Sequence, residues 1–223
     1  NSSVKDEETD ASVYVFPQIL SMPEMNLPSH SWQGDRIVRR WILEDPFIRA
    51  GIREYTTSDP MKNINWKASA RFGNLYVNQY DPTAQHKLML LLNVDTKKDQ
   101  WTITDEPERV EYGISLAATV LGYAFTNLIE VGFGSNSFLK DMEKTPIRIA
   151  PASGKSHWTI IMENLARMGL LRSISFNTLL EQELDRNSSN MDYLLITAVV
   201  DEEMEDRIRL LRGKDNAVEI FRI

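Results

Sequence analysis

Cysteine is absent from the 223-residue chain. That absence excludes disulfides, thiolate zinc sites, iron–sulfur ligation and a thiol nucleophile together. Histidine is scarce: the chain holds His30, His86 and His157. No two of them stand at a metal-ligand spacing, so a histidine-rich metal centre is not expected. No run of 18 apolar residues occurs, and none of the chain is expected to span a membrane. No signal peptide is recognisable. Positive charge is in the minority, with 25 Lys+Arg against 32 Asp+Glu and a net charge of −7. This argues against nucleic acid or an anionic membrane surface as the main partner.

What is present is ordinary for a folded chain, with 42% apolar and 26% charged residues. The length suits one large domain or two small ones and is enough to bury a core without staples. The first residue is Asn rather than Met, so a piece of a longer protein is expected, with room for a membrane segment upstream.

Residues 1–12 are polar and acidic and read as disorder or linker. Val13 to Phe16 read as a strand that stops at Pro17, residues 21–35 as loop, and residues 36–43 as another strand. Ile52 to Tyr55 form a short extended candidate. Asp59-Pro60 has the form of a helix start, Asp as cap and Pro in the first turn, for a short helix that runs through Trp66 and Arg71 to Gly73. Residues 75–80 then read as a strand. The rhythm changes after His86. Residues 87–94 are nearly continuously apolar, as a strand buried on both faces of a parallel sheet would be. Helical spacing follows over 107–126, then strands 128–133 and 147–150, helices 156–169 and 176–185, strand 193–200, helix 201–212 and strand 217–223. Alternating strands and helices predict an α/β fold with a mostly parallel sheet over 87–223, preceded by a β-rich segment over 13–86. Charge divides unevenly: 9 basic and 11 acidic residues in 1–86, and 16 against 21 in 87–223.

Several places carry candidate chemistry. Gly154-Lys155-Ser156 resembles the end of a phosphate-binding loop, but Ile149 stands where the first glycine belongs, so a plain strand-to-helix turn is favoured over nucleotide binding. Asn93 and Asp95, at the end of the long apolar strand, offer oxygens for Mg²⁺. Lys97 in the same turn disfavours the ion, and a solvated loop is expected. Residues 201–206 hold five acids in six positions. An exposed first helical turn that complements the helix dipole explains them, with a docking surface as the second reading. No nucleophile elbow G-x-S-x-G occurs, and His157 at a helix start reads as packed or exposed rather than catalytic. Within residues 53–80, Arg53, Asp59, Trp66, Lys67 and Arg71 are expected to form a buried polar latch in preference to a binding face.

This last segment also carries a family resemblance. Arg53-Glu54-Tyr55, Ser58-Asp59-Pro60, Ile64-Asn65-Trp66-Lys67-Ala68-Ser69-Ala70-Arg71 and Leu75-Tyr76-Val77 resemble the signature of the domain of unknown function 58 family. It reads roughly R-x-Y-x-x-G-D, I-x-W-x-x-S-A-R and L-x-V. Ser58 replaces the usual glycine and Lys62 a frequent arginine. The signature positions are Arg53, Tyr55, Asp59, Trp66, Ser69, Ala70 and Arg71. The early strand, the 147–165 region and the late strands extend the likeness.

The resemblance implies a von Willebrand factor A-like, Rossmann-like domain after a β-rich segment, in proteins that often carry membrane helices upstream and are encoded beside MoxR-type AAA+ ATPases. The implied role is a protein-interaction module or adaptor for such an ATPase, not an enzyme, in the cytoplasm or on the cytoplasmic face of the membrane. A metal-dependent adhesion-type domain is the alternative, and a nucleotide-binding enzyme using Lys155 and Ser156 ranks third. The resemblance also places a metal site at Asn93, Asp95, Lys97, Ser156 and Ala198. Only Asp95 and Ser156 keep suitable oxygens there. Mg²⁺ is therefore expected to bind weakly or not at all, with Lys97 filling the site electrostatically, and no other cofactor is expected.

Overall fold

A computed structural model describes residues 15–21, 49–57, 59, 61, 64–80, 87–98, 104–189, 191–214 and 216–223. Its centre is strand β3 (Lys87–Leu92), in which every residue after Lys87 is buried. The continuous apolar run is explained by the two layers that it serves. Leu88, Leu90 and Leu92 point into one apolar cluster, and Met89 and Leu91 into another. β3 pairs in parallel with β4 (Glu130–Ser135) on one side and β8 (Met191–Thr197) on the other. β9 (Ala217–Arg222) extends the parallel set beyond β8, and β6 (Ile147–Ala152) closes the other edge antiparallel to β4. The five-stranded order β6-β4-β3-β8-β9 is a mostly parallel Rossmann-like α/β sheet.

Helices cover both faces. α2 (Pro107–Thr126) and α3 (Lys155–Arg167) supply the first cluster with Ile114, Ala117, Leu121, Ile161 and Leu165. α4 (Phe176–Asp185) and α5 (Glu202–Arg212) supply the second with Leu179, Leu180, Met204, Ile208 and Leu211. Burial at about 25 cal/mol per Å² of apolar surface makes these two layers the main source of stability. At β4 the backbones come close: a Cβ on Gly132 would stand 2.8 Å from both the Met89 sulfur and the Pro151 nitrogen.

Upstream lies a smaller unit. β1 (Arg49–Glu54) pairs antiparallel with β2 (Tyr76–Tyr80), and α1 (Trp66–Phe72) lies between them in sequence. Ile64 adds an isolated bridge to Val77. Gly73 ends α1 in the left-handed region at φ 79°, donating its N–H to the Ser69 carbonyl, a conformation that suits glycine.

Several expectations shift. α1 starts at Trp66, not at Asp59: Asn65 is its cap, accepting from the Ala68 N–H at 3.0 Å. The strand expected over 128–133 is β4, two residues later, because Leu128 takes a positive φ of 61° after α2 and is 85% exposed. α3 ends at Arg167 rather than 169, since the chain turns extended at Met168. There β7 (Met168–Arg172) pairs antiparallel with β5 (Ser137–Leu139), and neither strand was foreseen. β8 covers 191–197 rather than 193–200. Val15 and Phe16 are not in a strand; downstream of them the Leu20 N–H donates to Thr119 Oγ1 on α2 at 2.9 Å. The expectations for residues 1–12, Val13 and Tyr14, residues 22–35 and 36–43, Pro60, and the boundary at 82–86 lie outside the described residues.

Candidate functional site

The chain leaves β3 for β4 on one side and later returns to β8 on the other. The C-terminal ends of β3 and β8 therefore flank a topological switch point, where open α/β sheets place their ligands. Three short polar segments meet there: Asn93 to Thr96 after β3, Ser135 to Ser137 between β4 and β5, and Thr197 at the end of β8. All are buried apart from the edges of the cluster.

A hydrogen-bond network satisfies them. Asn93 Nδ2 donates to Thr197 Oγ1 at 3.0 Å, and Asn93 Oδ1 accepts from the Asp95 N–H and from Asn136 Nδ2, both at 3.0 Å. Asn136 Oδ1 accepts from the Val94 N–H at 3.0 Å. Asp95 Oδ2 accepts from Asn136 Nδ2 at 3.2 Å and from the Arg172 guanidinium at 3.0 Å. The Asp95 and Arg172 side chains are only 11% and 5% exposed, so this ion pair holds its place in a region where an uncompensated charge would be costly. Beside it lies a small, open polar cleft, lined in part by Asp95, Lys98, Arg172, Asn177, Val199 and Asp201.

The positions that the resemblance places at a metal site are brought together only in part: Asn93, Asp95 and Lys97 line this cleft, and Ser156 does not. Asn93 and Asp95 are adjacent, but Asp95 faces amide and guanidinium donors. Arg172, not Lys97, is the cation on Asp95. Lys97 lies outward and pairs with Asp105 at 2.8 Å, which lowers the Asp105 pKa and raises that of Lys97. Ser156 lies at the other end of the sheet. Antiparallel β6 runs back so that Ala152 pairs with Val131 at the start of β4, and His157 Nε2 sits 2.6 Å from the Val131 carbonyl. Ala198 offers no side-chain oxygen, and the first carboxylate after β8 is Asp201. Asp201 caps α5, accepting from the Met204 N–H at 2.7 Å. Among the described residues no group of three or more His, Asp or Glu side chains is gathered. Asp95 Oδ2, which could have offered Mg²⁺ an oxygen, is engaged by amide and guanidinium donors.

The same reversal disposes of the Gly-Lys-Ser tripeptide as part of this site. Gly154 has φ 101° and precedes α3, Lys155 and Ser156 are exposed, and both lie away from the switch point. Arg172, Asn136, Asn177 and Ser175, which caps α4 on the wall of the cleft, were missed by sequence reasoning. The polar run Gly-Ser-Asn-Ser at 134–137, directly after an apolar strand, was the available signal. Arg172 gave none, because its strand was not recognised.

The signature segment divides into two parts. Arg53 clasps Asp59 through two hydrogen bonds of 2.7 and 2.5 Å, and Asp59 Oδ2 also accepts from the Thr56 N–H and hydroxyl at 2.9 and 2.8 Å. The Arg53 guanidinium, helped by Thr56, holds the Asp59 carboxyl well below the usual carboxylate range. The Tyr55 N–H donates to the Leu75 carbonyl at 2.8 Å. Ser69 Oγ donates to the Asn65 carbonyl and accepts from the Tyr76 N–H, both at 2.8 Å, tying α1 to β2. The expected five-residue buried latch is thus reduced to the Arg53–Asp59 clasp, in which the Asp59 side chain is 12% exposed and the Arg53 side chain 45%. Trp66, Lys67, Ala70 and Arg71 take no part in it and face solvent.

Residues 51–221 match the family described as "Protein of unknown function DUF58". The chain belongs to this family. The DUF58 match begins within β1 and ends within β9, so the small signature unit and the α/β sheet fall inside one family region. A comparison with curated proteins gave no match. Among the described residues of this DUF58 chain, no helix is long and apolar enough to cross a membrane.

Proposed function

We propose that this DUF58 chain is a non-enzymatic protein-interaction module, an adaptor that works with a MoxR-type AAA+ ATPase. Its contact face is the C-terminal rim of the sheet, formed by residues 93–98, the start of α4 and the start of α5. The observation that carries the reading is the Asp95–Arg172 pair at the switch point. The position where α/β sheets bind ligands is stabilised from within by a guanidinium, which leaves a polar cleft and, among the described residues, no gathered group of three or more His, Asp or Glu side chains. A rim built in this way engages a partner through charge and shape rather than by chemistry on a small substrate.

Two features support the von Willebrand factor A-like part of the reading: β3 lies at the centre between parallel neighbours, and one antiparallel strand closes an edge. Binding is independent of Mg²⁺ in this account, and no cofactor is used. The module works in the cytoplasm or on the cytoplasmic face of the membrane in this account. The 153–157 turn, on the opposite end of the sheet, is not part of the contact face. The direct test is capture of the MoxR-type ATPase of the same genome on the immobilised chain. A complex in at least one nucleotide state is expected, and none in any state would overturn the adaptor reading.

A further inference from the structure

The half of the signature that stays outside the clasp is exposed. On α1, Trp66 and Ala70 stand four residues apart, and Lys67 and Arg71 do the same, so the four share one side of the helix, opposite buried Ser69. All four are exposed, Trp66 by 64%. Neither Lys67 nor Arg71 forms an ion pair among the described residues, whereas Arg53, Arg109, Arg148, Arg172, Arg207 and Arg209 all do. Arg71 instead stands 5.8 Å from the centroid of the Phe72 ring. The unit behind this face has little core of its own: Ile64 and Val77 are its buried apolar residues among those described. A tryptophan flanked by two cations on such a unit gains by being covered.

The complementary surface is on the same chain. α5 exposes Glu202 and Glu205, which have no ion-pair partner among the described residues, and on a neighbouring part of its outer face Leu210, 60% exposed. Glu203 and Asp206 are already engaged by Arg207 and Arg209. Both free pairs are one helical turn apart, Lys67 with Arg71 and Glu202 with Glu205, so two cations can face two carboxylates with Trp66 and Leu210 as apolar neighbours.

We propose that the Trp66–Lys67–Ala70–Arg71 face of one copy docks on the acidic outer face of α5 in a second copy. The contact joins two different faces, so it closes into a ring or extends into an open chain according to the rotation that it imposes. It does not depend on the adaptor reading.

Sedimentation velocity on the full chain tests it over a concentration series in 50 mM and 500 mM salt. The weight-average mass should rise with concentration at low salt, and the rise should be suppressed at high salt. Lys67→Glu with Arg71→Glu should weaken association at least about tenfold, and Glu202→Lys with Glu205→Lys should do the same, because like charges then face each other. Mixing the two variants should restore association, since each then supplies the complement that the other needs. That restoration also shows that neither variant had merely lost its fold. A monomer at all concentrations, association indifferent to salt and to both reversals, or no restoration on mixing would each overturn the proposal.

Discussion

The α/β domain and the signature unit are held together in opposite ways. The sheet is packed between two apolar layers, and β3 buries five residues in succession. The small unit buries Ile64 and Val77 and otherwise relies on the Arg53–Asp59 clasp, the Asn65 cap, the Ser69 bridge and Gly73. Area burial dominates in the first, and polar geometry sets the conformation in the second. Signature residues therefore need not mark the most stable part of a fold. Here Arg53, Asp59 and Ser69 specify a local shape, while stability resides downstream.

The sharpest way to break this contrast is in the core. Leu90→Ala should lower the stability of the α/β domain by about 2–5 kcal/mol, as buried leucines do, and a loss below 1 kcal/mol in chemical denaturation would contradict the two-layer picture. Arg172→Met should cost a comparable amount, about 3–5 kcal/mol, because it removes the guanidinium from a largely buried carboxylate. The double change Arg172→Met with Asp95→Asn should recover part of that loss. In the small unit the effects are smaller and local. Asn65→Ala removes the cap of α1 and should cost about 1 kcal/mol, seen as faster amide hydrogen exchange in 66–72 with the sheet amides unchanged.

A smaller effect is one of titration. Asp59 has its pKa depressed in the folded chain, so its contribution is present above the unfolded carboxylate range near pH 4 and is lost only as pH falls through the lower folded value. Arg53→Ala should bring the Asp59 carboxyl back up towards the ordinary range, read by NMR titration; no upward movement would show that the clasp is absent in solution. On the other side of the contrast, burial beside Glu183 pushes Tyr193 up to about 12. Unfolded tyrosine ionises near 10, so the domain should lose stability as pH rises between these values, and Tyr193→Phe should flatten that loss.

The sequence was most legible where burial writes a pattern. β3, α2, α4 and α5 follow from apolar runs and helical spacing, because each serves one or both layers of the core. The resemblance carried by residues 53–77 led to the right family. The site was less legible, for reasons of topology. The resemblance placed Ser156 with Asp95, but β6 runs antiparallel and carries Ser156 to the other end of the sheet. Lys97 looked like the cation on Asp95 from proximity in sequence, whereas Arg172 reaches it from 77 residues away. The short strands β5 and β7 carry no alternation strong enough to announce them, and they are what deliver Arg172. Trp66 was expected in a buried polar latch, and it is 64% exposed on a unit with little core to cover it.

These two ends of the sheet give the most direct test of where the function resides. Capture of the MoxR-type ATPase should be measured with the wild-type chain, with Lys98→Glu at the C-terminal rim, and with Lys155→Glu at the opposite end. The account predicts that Lys98→Glu reduces capture at least about tenfold while Lys155→Glu leaves it unchanged. Equal capture by all three, or loss with Lys155→Glu alone, would contradict it.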